Sequence, residues 1–199
     1  MRRRVVIIDD SARSRAALGT AIKGFGCEIA GEGVNGSEAI RLAQELRPDV
    51  LFLAVGLPEM DGLTAAAQIL EAPLPIIILS SHLDPDLIQR AKEAGVMAYM
   101  VKPLREEELL PTIELAVSRF EEFTALRKEN EDLKRTLEGR KLIERAKGVL
   151  MERENISEQQ AFARIQKASM NTRRSMAEIA QAILLSEEVA TRTSEPPQG

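Results

Sequence analysis

The sequence predicts an α/β protein: a doubly wound, five-stranded parallel sheet, then a long coiled-coil helix and a small three-helix all-α domain. Three observations carry this. Short apolar runs alternate with helical patterns five times over the first 120 residues, a helical pattern low in Gly and Pro fills about 113–153, and two capping signatures follow. The apolar runs fall at 5–8, 28–30, 50–53, 75–79 and 98–101, and helices are expected over 12–23, 37–46, 62–70, 84–94 and 105–119. VVII, VLFL and IIIL lack the alternation of half-exposed strands, as expected where helices cover both faces of a sheet. In such a sheet ligands gather at the carboxyl ends of the strands, so the residues just after each run matter most.

In the long helix, Phe123, Leu126, Asn130, Leu133 and Leu137 recur at alternating three- and four-residue spacing, the a/d pattern of a coiled coil with Asn130 at an a position. A buried Asn there costs stability and favours a paired, in-register homodimer. The alternative is one long helix packed on its own front domain. Pro111 predicts a frayed or kinked start to the fifth helix. Ser157 with Gln160 and Ser175 with Glu178 read as two capping boxes. The first opens a helix with Ala161, Phe162, Ile165 and Ala168 on one face. The second precedes Ile179, Ala180 and Ile183. Met151, Phe162 and Ile165 fit the buried stripe and are expected in the core. The domains are therefore 1–120 for the sheet, 121–139 for the coiled-coil linker and 140–186 for the helical unit. A disordered tail is expected over 187–199.

Composition excludes several functions. The 199 residues are 44% hydrophobic and 29% charged, an ordinary globular balance. Aromatics are 3%, too few for the stacking platforms of single-strand-binding proteins. Cys27 and His82, the lone cysteine and histidine, can build neither a disulfide nor a zinc site. No apolar run approaches the roughly 20 residues that cross a bilayer, and the first run meets Asp9-Asp10, so neither membrane span nor signal peptide is expected. A cytoplasmic protein is expected. Residues 1–122 hold 13 Lys and Arg against 19 Asp and Glu, whereas 123–185 hold 13 against 9. An acidic front and a basic rear point to different partners, the rear one polyanionic.

Asp9-Asp10, Ser80-Ser81 and Lys102 each follow a strand, so two carboxylates, a hydroxyl and a lysine are expected to converge on one pocket. Paired hard oxygens suit Mg²⁺, while a lysine and a hydroxyl suit phosphoryl oxygens. The stretches VVIIDD, RPDVLFLAVGLPEMDG, IIILSS and AYMVKP resemble the receiver domain of two-component response regulators over residues 4–120. The resemblance implies a Mg²⁺-dependent phosphoryl switch, with Asp9, Asp10 and the Gly56 carbonyl on the metal. It further implies Ser80 as phosphoryl sensor, Lys102 as its counter-charge and Tyr99 as switch aromatic. Ala54 stands where the family carries the phosphoacceptor aspartate. A methyl cannot form an acyl phosphate, and the lost carboxylate weakens Mg²⁺ binding. Asp49, at the wrong end of its strand, and Asp61, in the loop turn, are no substitutes. Ala54 is either natural, making a pseudo-receiver, or an engineered substitution. A sensor histidine kinase is an expected partner only if position 54 is natively Asp.

The stretch AKGVLMERENISEQQAF within residues 140–184 resembles the ANTAR domain, an RNA-binding module of transcription antiterminators. The resemblance implies dimers that capture tandem RNA hairpins in an mRNA leader and prevent the terminator from forming. Arg140, Lys141, Arg145 and Lys147 crowd the end of the long helix, and Arg173-Arg174 precede the last one, both suited to phosphate. Gly148 leaves a helix surface where a base could approach. One rival is a DNA-binding response regulator, but MAEIAQAILL has no Arg or Lys to read a major groove. Another is a protein–protein adaptor using the receiver face and coiled coil, which leaves the basic cluster idle. No nucleophile–base pair appears, so an enzyme is not expected.

Overall fold

The computed structural model describes residues 2–69, 74–82 and 84–194, the last seven by backbone alone. It divides into two compact units, Met1–Ala125 and Leu126–Gly199. The first contains strands β1 (Arg4–Ile8), β2 (Glu28–Gly33), β3 (Val50–Ala54), β4 (Ile76–Ser80) and β5 (Ala98–Val101). These pair in the order β2-β1-β3-β4-β5, all in parallel. Helices α1 (Ala12–Gly24), α2 (Gly36–Leu46), α3 (Gly62–Ile69) and α4 (Pro85–Glu93) alternate with them, and α5 (Glu106–Glu154) follows β5.

Successive side chains of a strand point to opposite faces, so each apolar run supplies two cores. Val6, Ile8, Leu51, Leu53, Ile76 and Ile78 pack under α2, α3 and α4, against Ala39, Leu42, Leu63, Ala66 and Ala91. Val5, Ile7, Val50, Phe52, Ile77 and Leu79 pack under α1 and the start of α5, against Leu18, Ile22, Leu109 and Ile113. The expected doubly wound sheet is thus observed. β2 extends three residues past its predicted end because EIAGEG offers little apolar signal, and its pairing with β1 slips between Val5 and Val6.

α5 departs from expectation. It is continuous through Pro111, without a frayed start, and joins the fifth receiver helix to everything as far as Glu154. Pro111 removes a single backbone donor. Buried Leu109, Ile113 and Ala116 anchor the surrounding turns on the sheet, and Thr112 Oγ1 donates to the Glu108 carbonyl (2.6 Å).

In the second unit, the last turns of α5 meet α6 (Glu158–Thr172) and α7 (Met176–Ser194) around Ala146, Leu150, Ala161, Ile165, Ala180 and Leu184. Three alanines at the centre let the helices approach closely. Both capping boxes are present. Ser157 Oγ accepts from the Gln160 N–H and Gln160 Oε1 from the Ser157 N–H, and Ser175 and Glu178 do the same. Ile165 is buried as expected. Phe162 and Met151 are not: they are 43% and 36% exposed. Ala161 and Ile165, one turn apart, centre the buried face of α6, and Phe162 is rotated about 100° away from Ala161. α7 also outruns the expected end of the helical unit at 186. No Gly or Pro breaks SEEVATRTS, so the expected tail is helical to Ser194, and 195–199 lie outside the described residues.

Candidate functional site

The parallel register sets Ile8 beside Leu53, Ala54 beside Leu79 and Ser80 beside Val101, so the residues that follow share the carboxyl edge of the sheet. Asp9 is fully buried there. Its Oδ1 accepts from the Ser11 N–H (3.0 Å), and its Oδ2 accepts from Ser14 Oγ (2.8 Å) and Lys102 Nζ (2.5 Å). Burial pushes the Asp9 carboxyl up, but the hydrogen bonds from Lys102, Ser14 and Ser11 together hold it below the usual carboxylate range. Ser11 caps α1, which brings Ser14 over the carboxylate. Asp10 is exposed, and Arg15 donates to the carbonyls of Asp9 (2.6 Å) and Asp10 (3.3 Å).

Ser80 is buried; its Oγ donates to the His82 carbonyl (2.9 Å) and accepts from the His82 N–H (3.2 Å). Half-buried Tyr99 donates its hydroxyl to that same carbonyl (2.7 Å). The two expected switch residues therefore meet on one backbone oxygen, a link invisible in the sequence because it runs through main chain. The Lys102 N–H bonds the Ser80 carbonyl (2.7 Å), so the lysine leaves β5 beside β4.

Ala54 is 2% exposed and belongs to the core facing α1 and α5. Gly56 lies exposed in the loop after β3. Neither nearby acid replaces the missing carboxylate. Asp61 accepts from the N–H groups of Leu63 (3.0 Å) and Thr64 (3.1 Å), and from Arg90 (3.1 Å), at the start of α3. Asp49 accepts from the Arg4 N–H (2.7 Å), at the opposite edge of the sheet. These residues do not make a complete Mg²⁺ site. One carboxylate position is a methyl, and both Asp9 oxygens are engaged by Ser11, Ser14 and Lys102. Among the described residues no group of three His, Cys, Asp or Glu side chains is placed to hold a metal ion.

In the second unit Arg140, Lys141 and Arg145 are exposed on α5. Lys147 differs: it is buried, with its ammonium between Glu144 (2.7 Å) and Glu158 (2.7 Å). The hydrogen bonds to Glu144 and Glu158 hold that ammonium above the usual lysine range. Gly148 faces open space: a Cβ there would meet nothing within 4 Å. Arg173 ends α6 in the left-handed region (φ 55°), and its N–H, like that of Arg174, returns to the Ser169 carbonyl. Both side chains are exposed. A Cβ on Gly139 would lie 3.3 Å from Ala177 Cβ, so α5 passes the start of α7 at that point. Arg140 and Lys141, and Arg173 and Arg174, therefore occupy the same end of the bundle. Gly139, one of two glycines in the long helical pattern, sits at that approach.

Comparison with known proteins agrees with both halves. Residues 5–114 match the response regulator receiver domain and residues 131–184 the ANTAR domain. The chain is 44% identical over 183 residues to the transcriptional regulatory protein PdtaR of Mycobacterium tuberculosis, covering 92% of this chain and 89% of that protein. It is 33% identical over 115 residues to the chemotaxis protein CheY of Thermotoga maritima, covering 57% of this chain and 96% of that one. Among solved structures, the signal receiver domain of a modulated diguanylate cyclase from Desulfovibrio desulfuricans G20 aligns with a TM-score of 0.57 at 32% identity, over 61% of this chain and 98% of its own. The response regulator domain of Thermotoga maritima CheB aligns with a TM-score of 0.56 at 28% identity, over 59% and 98%. No described helix is long and apolar enough to cross a membrane. With a receiver fold in the first unit, a capped three-helix bundle in the second and a transcriptional regulatory protein matched over 92% of this chain, the chain belongs to the response regulators that join a receiver domain to an ANTAR domain.

Proposed function

We propose that this chain controls gene expression by binding tandem RNA hairpins in mRNA leaders and preventing transcription termination, without phosphorylation at position 54. The observation that carries the reading is the exposed Arg140, Lys141, Arg173 and Arg174 at one end of the three-helix unit, a footprint for a phosphate backbone. Arg145 extends it along α5, while Lys147 joins α5 to α6. The chain acts as a homodimer through the stripe around Asn130, so that two weak RNA sites gain from being linked. Receiver domains generally bind Mg²⁺ at the phosphorylation site; here the missing carboxylate weakens it. A sensor histidine kinase could supply a phosphoryl group only to a form with Asp at position 54.

The test is titration of a two-hairpin leader RNA against random duplex DNA at several salt concentrations. The RNA is bound more tightly, and Arg173→Ala or Arg140→Ala weakens binding and lowers the salt slope by about 1 each. Equal affinity for duplex DNA overturns the RNA assignment and favours a DNA-binding regulator. No nucleic-acid binding at all favours the adaptor.

A further inference from the structure

We propose that the ANTAR unit carries a docking place for one unpaired nucleobase on the ring of Phe162. This rests on the RNA reading above and names what part of the RNA the surface takes. Phe162 is the only aromatic residue after position 123, and the core beside it is built from Ala, Leu and Ile. The bulkiest apolar side chain of the unit is thus left at the surface. It borders an open surface depression of about 590 Å³ also lined by Lys147, Ser157, Glu158 and Gln159.

The chemistry of those walls selects a flat, neutral, hydrogen-bonding ligand. Phe162 offers an apolar face on which any base can stack. The side-chain amide of exposed Gln159 makes no hydrogen bond among the described residues, so it can both donate to and accept from a base edge. Glu158 is paired with Lys147 at 2.7 Å, but that one ammonium also serves Glu144, so the trio keeps one negative charge and disfavours a phosphate while leaving a neutral base able to stack. That buried lysine is likewise satisfied by Glu144 and Glu158, so the pocket offers no free cation to a phosphate. The phosphates fall to Arg145 and the other exposed arginines. Next to Lys147, Gly148 adds no side chain to the helix surface. A single ring does not make the multi-base platform that the 3% aromatic content excludes; it serves one base flipped out of a loop.

The experiment uses the full chain and a hairpin RNA of fixed stem, its loop enriched from a randomised pool on the unsubstituted protein. The bare duplex stem and a DNA hairpin of the same sequence are the comparisons. Phe162→Leu, which keeps apolar volume and loses the ring, weakens the RNA hairpin by about 5- to 150-fold. Its salt slope and its affinity for the bare stem stay unchanged. Phe162→Tyr restores binding to within about twofold, since stacking requires only the ring. Thermal unfolding of each variant checks that the unit stays folded. If the unsubstituted chain prefers the RNA hairpin and Phe162→Leu binds it equally well, the base site is overturned while the RNA reading stands. If the unsubstituted chain does not distinguish RNA from DNA hairpin, the RNA reading fails and the base site with it.

Discussion

On the function proposed above, the side chain at position 54 decides whether the front domain can be a chemical switch. A buried methyl faces the core where acyl-phosphate chemistry needs a carboxylate, while Asp9, Asp10, Ser80 and Lys102 remain around the edge. Intact mass after incubation with Mg²⁺ and a small phosphoryl donor is expected to be unchanged for this chain. Ala54→Asp is expected to gain one phosphoryl group; if it does not, the pocket is a scaffold only. The lysine meanwhile has another task, because it matches buried Asp9. Lys102→Met leaves that carboxylate with two serine contacts and costs about 3 kcal/mol at neutral pH, the lower end for breaking a buried pair because Lys102 keeps some solvent contact. The pH dependence follows from the sign of the Asp9 shift. A carboxyl held below its unfolded value adds stability above the ordinary carboxylate range, and that stability is lost as the pH falls through the lowered value. Urea unfolding followed by Tyr99, the lone tyrosine, is expected to show this acid loss, reduced in Lys102→Met. Asp9 and Lys102 were legible as strand-end residues. Their pairing across 93 positions was not, because nothing local links them.

Among the elements, α3 is held by a close approach. A Cβ on Gly62 would lie 1.9 Å from the Ala54 carbonyl oxygen, and the Gly62 N–H bonds the Val55 carbonyl (2.9 Å). Backbone cannot yield as a flexible side chain would, so Gly62→Ala is expected to cost at least about 3 kcal/mol. Far-ultraviolet circular dichroism during urea unfolding reads it, and a loss below about 1 kcal/mol would refute the contact. The helix starts of the rear unit were readable because a capping box is a four-residue code: Ser157 with Gln160, Ser175 with Glu178. The start of α5 was misread because a proline's local penalty was weighed without the sheet contacts of Leu109 and Ile113 that outweigh it. Phe162 was misread because a 3.6-residue stripe has edges, and periodicity alone does not say which edge residue the neighbouring helices cover.

For the whole molecule, the exposed stripe on α5 bears on how many chains associate. Leu126 and Leu133 are 65% and 63% exposed on α5, with Asn130 between them, so the stripe has no cover among the described residues. Leu126→Lys with Leu133→Lys is expected to turn a sedimenting dimer into a monomer. It should weaken binding to a two-hairpin RNA far more than to a single hairpin, because linkage multiplies two weak affinities only when both sites belong to one particle. An unsubstituted chain that sediments as a monomer at the RNA-binding concentration would refute the coiled coil.

The sequence by itself determined the architecture and the alanine at position 54. Parallel strands, capped helices and strand-end carboxylates are written in local patterns of hydrophobicity and hydrogen-bonding side chains, and a missing carboxylate is a fact about one position. Tertiary structure alone decided the partnerships. Lys102 meets Asp9, Lys147 lies between two glutamates, and Phe162, expected in the core, is 43% exposed. Each outcome depends on which distant residue arrives within hydrogen-bond or van der Waals reach, and that is set by packing between elements rather than by the pattern within one.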